Sequence, residues 1–288
     1  LRDDELESWP NWELSRFVQA GGIRWHVQQT GSGPALLLIH GTGSSTHSWR
    51  DLIRPLGAHF TVLAADLPGH AFTQPSLNGG GSIDAMSEAL GKLLHQLQFV
   101  PRYAVGHSAG AVILCRAALS RRIVPQVIIS INGAFLPLSG IAGVMFAPIA
   151  KLLTSNSLVM RLFASRAADK TRVERVLLGT GSRVSPLGVE LYCRLVRDSQ
   201  HLAGTLGMMS SWDLHAFARD LPRLQTPLAL IVAENDRAVP PHQAQRVKSQ
   251  VPGARIVSLA GLGHLAHEEA PELLVAEIVR ICRSNGAV

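Results

Sequence analysis

The sequence predicts an α/β fold built on a parallel sheet. Three observations carry that expectation. Apolar runs of strand length recur at residues 35–39, 60–65, 127–131, 228–233 and 256–259. Helix-like segments separate them, at residues 87–97, 109–119 and 242–249. Residues 103–110, Tyr-Ala-Val-Gly-His-Ser-Ala-Gly, set a Gly-x-Ser-x-Gly pentapeptide between a β-favouring run and an apolar helical pattern. A continuous apolar run suits a strand covered on both faces. Strands alternating with helices call for right-handed crossovers in a parallel sheet.

Taken in order, residues 1–15 are polar, with Trp9 and Trp12 flanking Pro10, and read as a loose N-terminal arm. Residues 16–20 and 23–30 are β-like runs joined by Gly21-Gly22, a hairpin signal. A core of residues 16–133 and 223–288 then holds the strands and their helices, the last over 271–282 with Pro271 in its first turn. Residues 134–222 break the alternation. Helical patterns at 141–153, 158–163, 172–178, 188–197 and 202–212, with no strand among them, read as a helical cap. Residues 123–150 carry no Asp, Glu, Lys or Arg. Pro125, Pro137 and Pro148, several glycines and a strand-like start argue against a membrane-spanning helix there. Two readings stay open: a cap packed on the core, or an apolar lid over a large apolar substrate with peripheral membrane contact.

A chain of 288 residues accommodates one large domain, or one domain with an inserted cap. The hydrophobic share of 47% and charged share of 17% describe a sizeable core. The net charge of +6 raises nucleic acid, an anionic membrane or an acidic substrate as partners. No basic run exceeds Arg121-Arg122, and only two Tyr are present, which argues against nucleic acid. The charge then serves solubility, with a carboxylate-bearing ligand as the weaker option. Cys115, Cys193 and Cys282 lie far apart without CxxC spacing. That predicts neither a zinc site nor a disulfide framework, and fits a reducing, cytoplasmic setting. The acidic start, Leu1-Arg2-Asp3-Asp4-Glu5, is followed by no apolar stretch of signal-peptide type.

The chemistry is expected around Ser108. A serine on a sharp strand-to-helix turn sits in strained backbone, so Gly106 and Gly110 must be small. Ala109 then offers its N–H at a helix start, where an oxyanion is stabilised. A serine hydroxyl needs a base to take its proton and an acid to orient that base. Both follow in the chain order serine, acid, histidine. Asp236 stands just beyond the run 228–233, and His264 stands in the Gly-rich loop after 256–259. Glu234 and His267 are the competing acid and base. The loop His40-Gly41-Thr42-Gly43 follows the run 35–39, and the N–H of Thr42 is the second oxyanion candidate. A phosphate-cradling role for that loop is disfavoured, since no Lys follows and GxGxxG is not met.

His-Gly-Thr-Gly at 40–43, Asp66-Leu67-Pro68-Gly69-His70, the pentapeptide at 106–110, Asp236 and Gly263-His264 together resemble the α/β-hydrolase superfamily. The resemblance implies an eight-stranded, mostly parallel sheet with helices on both faces and a helical cap between strands 6 and 7. It implies a serine nucleophile with no cofactor or metal. Haloalkane dehalogenases and many epoxide hydrolases carry Asp at the elbow, and Ser108 separates the chain from them. Trp9-Pro10-Asn11, Arg166-Ala167-Ala168-Asp169, Gly179-Thr180-Gly181-Ser182-Arg183 and Glu190-Leu191-Tyr192 resemble the magnesium-chelatase accessory subgroup of bacteriochlorophyll synthesis. That narrower resemblance implies a link to magnesium insertion into protoporphyrin, with chelatase subunits as partners. Three activities follow as expectations: hydrolysis of an ester-like acyl bond in an apolar small molecule, non-catalytic tetrapyrrole carriage, or C–C bond hydrolysis on the same triad.

Overall fold

A computed structural model describes residues 1–76, 80–137, 164 and 166–286. Eight strands form one sheet: β1 (Ser15–Ala20), β2 (Ile23–Thr30), β3 (Ala35–Ile39), β4 (Thr61–Ala65), β5 (Tyr103–His107), β6 (Val127–Ile131), β7 (Leu228–Ala233) and β8 (Ala254–Leu259). The spatial order is β1-β2-β4-β3-β5-β6-β7-β8. β2 runs antiparallel to β1 and β4, and every pair from β4 onward is parallel.

The apolar runs of β3 to β7 are buried on both sides because alternate residues enter opposite cores. Leu37, Ile39, Ala104 and Ile128 join one cluster with Leu90 and Leu93 of α2 (Ile83–Gln96) and with α3 (Ala109–Leu119). Leu36, Leu38, Val105 and Ile129 join the other, with Ile53 and Leu56 of α1 (Ile53–Gly57) and with Leu274 and Ile278 of the C-terminal helix Pro271–Gly286. Each such leucine withdrawn from water contributes about 1.5–3 kcal/mol, so a sheet with a polar face would forfeit half its drive.

Between β6 and β7 lie α4 (Lys170–Gly179), α5 (Pro186–Arg197), α6 (Ser199–Ser210) and α7 (Leu214–Asp220). Their starts are set by side chains that accept from orphan helix N–H groups. Asp169 accepts from Arg172, Ser185 from Gly188, Asp198 from His201 and Asp213 from Ala216. α7 was not foreseen from the apolar pattern, although Asp213 is a usable start signal. The helical patterns at 141–153 and 158–163 lie outside the described residues. After β7 come α8 (His242–Gln250), α9 (Ala266–Glu269) and α10 (Pro271–Gly286). No helix among the described residues is long and apolar enough to cross a membrane.

The N-terminal arm departs from expectation: it is not loose. Residues Asp3–Ser8 and Trp12–Leu14 form 3-10 turns, and Trp9 between them is 1% exposed. Its ring meets His47 and Phe72 edge-on, and the Arg194 guanidinium of α5 lies 5.1 Å from it. One large apolar side chain thus anchors a segment whose average composition is polar.

Candidate active site

β5 ends at His107, and Ser108 follows with its backbone at φ 50, ψ −114, outside the regions an L-residue ordinarily occupies. The turn closes only because its flanks are bare. A Cβ on Gly106 would sit 2.4 Å from the Ala111 nitrogen, and one on Gly110 would sit 2.2 Å from the Ile39 carbonyl oxygen. The Ser108 N–H donates to the Ile131 carbonyl at 2.9 Å, fixing the turn to β6. Ala109 opens α3, so its N–H has no partner within the helix.

The loop after β3 closes a turn in which the Ser44 N–H donates to the Gly41 carbonyl at 3.2 Å. Gly43 has φ 73, which suits glycine in the third position of a type II turn. A Cβ on Gly41 would stand 3.2 Å from the Ser108 Cβ, so this loop lies directly against the serine turn. The Thr42 N–H donates to no group among the described residues.

Asp236 follows β7 and is 4% exposed. Its Oδ1 accepts from the N–H groups of Ala238 and Val239, both at 2.8 Å. Its Oδ2 accepts from His264 Nδ1 at 2.8 Å. With the proton on Nδ1, His264 Nε2 is left as a free base. The His264 carbonyl is held by Asn132 Nδ2 at 2.9 Å and His107 Nε2 at 3.0 Å, and the His107 and His264 rings are 4.7 Å apart. The loop that carries His264 is thereby fastened beside the end of β5, which Ser108 follows. Ser108 Oγ makes no hydrogen bond among the described residues. Such bonds are often long before substrate arrives.

Glu234 and His267, the competing acid and base, stand differently. Glu234 is exposed and is not bonded to His264. His267 is buried between Trp49 and His107, and neither of its ring nitrogens has a partner among the described residues. Asn132 was missed by the sequence reading. It stands directly after β6 at φ 49, a backbone region Asn tolerates, and its Oδ1 also accepts from the Ala233 N–H at 2.8 Å. The stretch Gly179–Arg183 was singled out by resemblance only. Its Thr180 carbonyl accepts from the N–H groups of Arg237 at 3.0 Å and His264 at 3.4 Å, one on the loop after β7 and one on the loop after β8. Ser182 Oγ accepts from the Leu265 N–H at 2.8 Å. Beyond the loop that carries His264, Glu268 is buried between Arg50 Nη1 at 2.6 Å and the Tyr192 hydroxyl at 2.7 Å.

Neutral imidazoles crowd this region. Burial pushes His40, His47, His70, His107, His201 and His267 down, with His70 and His267 at about 3. Burial alone would raise Asp66, but His26 at 2.7 Å reverses that, and its carboxyl lies well below the usual range. The unfolded chain binds protons on these imidazoles below about pH 6.5, whereas the folded one refuses them until far lower. Stability therefore falls as pH drops from about 6.5 toward 3, by up to about 1.4 kcal/mol per pH unit for each imidazole within the window. Asp66 acts in the same direction below its unfolded value. The urea midpoint is expected to be clearly lower at pH 5.5 than at pH 7.5; equal midpoints would contradict the burial of these rings as neutral groups.

Residues 36–277 match the family model described as "Alpha/beta hydrolase family". The chain is 35% identical over 274 residues to the "Magnesium-chelatase 30 kDa subunit" of Rhodobacter capsulatus, covering 94% of this chain and 95% of that protein. It is 25% identical to the "Pimeloyl-[acyl-carrier protein] methyl ester esterase" of Nitrosospira multiformis, covering 91% and 100%. Among solved structures, an alpha/beta hydrolase fold protein from Burkholderia ambifaria superposes with a TM-score of 0.78 at 19% identity, covering 93% of this chain and 97% of that one.

Proposed function

The chain belongs to the alpha/beta hydrolase family, and from that premise we propose that it is a serine hydrolase acting on an ester-like or other acyl bond. The observation that carries this reading is the His264–Asp236 pair at 2.8 Å, beyond the carboxyl ends of β7 and β8, with a serine in strained backbone beyond the carboxyl end of the parallel strand β5. In this reading Ser108 Oγ attacks the acyl carbon while His264 Nε2 takes its proton. Asp236 stabilises the imidazolium and keeps the tautomer. The N–H groups of Thr42 and Ala109 receive the oxyanion. His264 then returns the proton to the leaving group, and water, activated by the same base, releases the acid. Residues 134–222 serve as the cap, and residues 16–133 with 223–288 as the core. C–C bond hydrolysis would use the same residues, and a substrate screen would separate the two.

A fluorophosphonate probe tests the reading, because it modifies only an activated serine. Wild-type protein is expected to be labelled on Ser108, and Ser108→Ala to be unlabelled. A folded wild-type sample that resists the probe would reject the hydrolase.

The likeness to the Rhodobacter subunit favours a second role, that the protein works beside magnesium chelatase and holds a tetrapyrrole substrate or product. Protoporphyrin titration followed by tryptophan quenching addresses it, and no quenching at micromolar ligand would remove it.

A further inference from the structure

α6 lies against the turn that carries Thr42, and one of its side chains bonds that turn. His201 is 2% exposed. Its Nδ1 accepts from the Ala71 backbone N–H at 3.0 Å, so Nδ1 carries no proton. The proton therefore sits on Nε2, which faces the Gly43 carbonyl oxygen at 3.2 Å and donates to it. The tautomer follows from the first bond, and the second requires that tautomer. Burial pushes His201 well below its ordinary range, so both bonds persist through neutral pH.

The surrounding packing gives the imidazole little freedom. A Cβ on Gly204, three residues along α6, would stand 2.2 Å from the Gly69 carbonyl oxygen, so the helix touches the backbone that leads to Ala71. A Cβ on Gly43 would stand 3.4 Å from Thr205 Cγ2. The Thr42 hydroxyl points to Met208 Sδ at 3.7 Å. The turn is therefore bonded across itself by Ser44 N–H to Gly41 carbonyl, and from outside at its Gly43 corner by His201.

We infer that His201 is a positioning residue for the oxyanion site: its Nε2–H holds the Gly43 carbonyl, and so fixes the turn that aims the Thr42 N–H at the reacting centre. This inference rests on the serine-hydrolase reading above. Its sequence origin is a histidine in the inserted segment, far along the chain from the loop it steadies. Electrostatic stabilisation of this kind needs donors fixed before charge develops, and a loop of two glycines and a threonine does not fix itself.

Two conservative variants separate this role from a merely structural one. In His201→Gln the side-chain amide reaches the Nε2 position and keeps a donor for Gly43. In His201→Asn the amide reaches only the Nδ1 position and keeps the acceptor for Ala71. An oxyanion role makes Gln the milder change, whereas a role in holding the Ala71 loop makes Asn the milder. The readout is the second-order rate of fluorophosphonate labelling, with thermal melts to check folding. His201→Gln is expected near the wild-type rate, and His201→Asn at least about tenfold slower, given that outright loss of one oxyanion donor costs about a hundredfold to a thousandfold. Equal rates, or the reverse order, would overturn the inference while labelled wild type left the hydrolase reading standing. Failure of both variants to fold would overturn it too, by placing His201 among residues the fold itself requires. An unlabelled wild type would remove the hydrolase reading, and this inference with it.

Discussion

Asp236→Asn is expected to lower kcat about ten-thousandfold on any ester the protein turns over, the size of this change in other triad enzymes. The loss follows from the hydrogen bonds around the carboxylate. Oδ1 faces two backbone donors, Ala238 and Val239. An asparagine must present its carbonyl there, since its NH2 would confront two N–H groups. The NH2 is then turned to His264 Nδ1 and donates where Asp236 accepted. The imidazole must accept at Nδ1 and move its proton to Nε2, the atom meant to take the serine proton. Charge and tautomer fail together, while the loop keeps its shape. Steady-state kinetics with melting curves check this. A folded variant that lost less than tenfold would remove Asp236 from the role of orienting acid.

Gly181→Ala is expected to cost roughly 3 kcal/mol of stability or more and to depress activity further than that loss explains. Gly181 has φ 88, and a Cβ there would stand 1.9 Å from the Asn235 carbonyl oxygen. The obstacle is backbone, so no rotamer relieves it. Asn235 precedes Asp236, and Thr180 accepts from Arg237 and His264. Any retreat of the 180–182 stretch therefore separates the loop that carries Asp236 from the loop that carries His264. Urea titration measures the stability. Probe labelling under conditions where the variant is fully folded measures the site. Wild-type labelling in a folded variant would show that this stretch supports the fold without supporting the chemistry.

The central strands were legible in the sequence because they are buried on both faces. Residues 35–39 and 228–233 read as uninterrupted apolar runs and 127–131 as one broken by Ser130 alone, and the strands occupy those residues. Helix starts were less legible, because caps set them rather than the apolar pattern. Ser82 accepts from the Ala85 N–H and begins α2 at Ile83, ahead of residue 87. The pairing of Asp236 with His264 was legible from strand-end placement. Thr180, Ser182 and His201 were not, since their partners are backbone groups on loops that only the folding back of the inserted segment brings near. Asn132 was not, because its partners, the Ala233 N–H and the His264 carbonyl, lie beyond that segment in the chain and reach it through the pairing of the sheet. Trp9 was hidden for a related reason: its burial depends on α5, which lies far along the chain.

Because the segment between β6 and β7 bonds the backbone of the very loops that surround Ser108, it is not an interchangeable module. A chimera that grafts another family member's insertion onto this sheet, in order to import a new specificity, would gain the foreign side chains and lose the braces. Such a graft should retain the fold of the sheet yet turn over poorly until residues 180–183 and the first turns of α6 are restored. Divergence in this lineage would then be expected to proceed by altering side chains on the insertion's inner face, with its points of attachment kept.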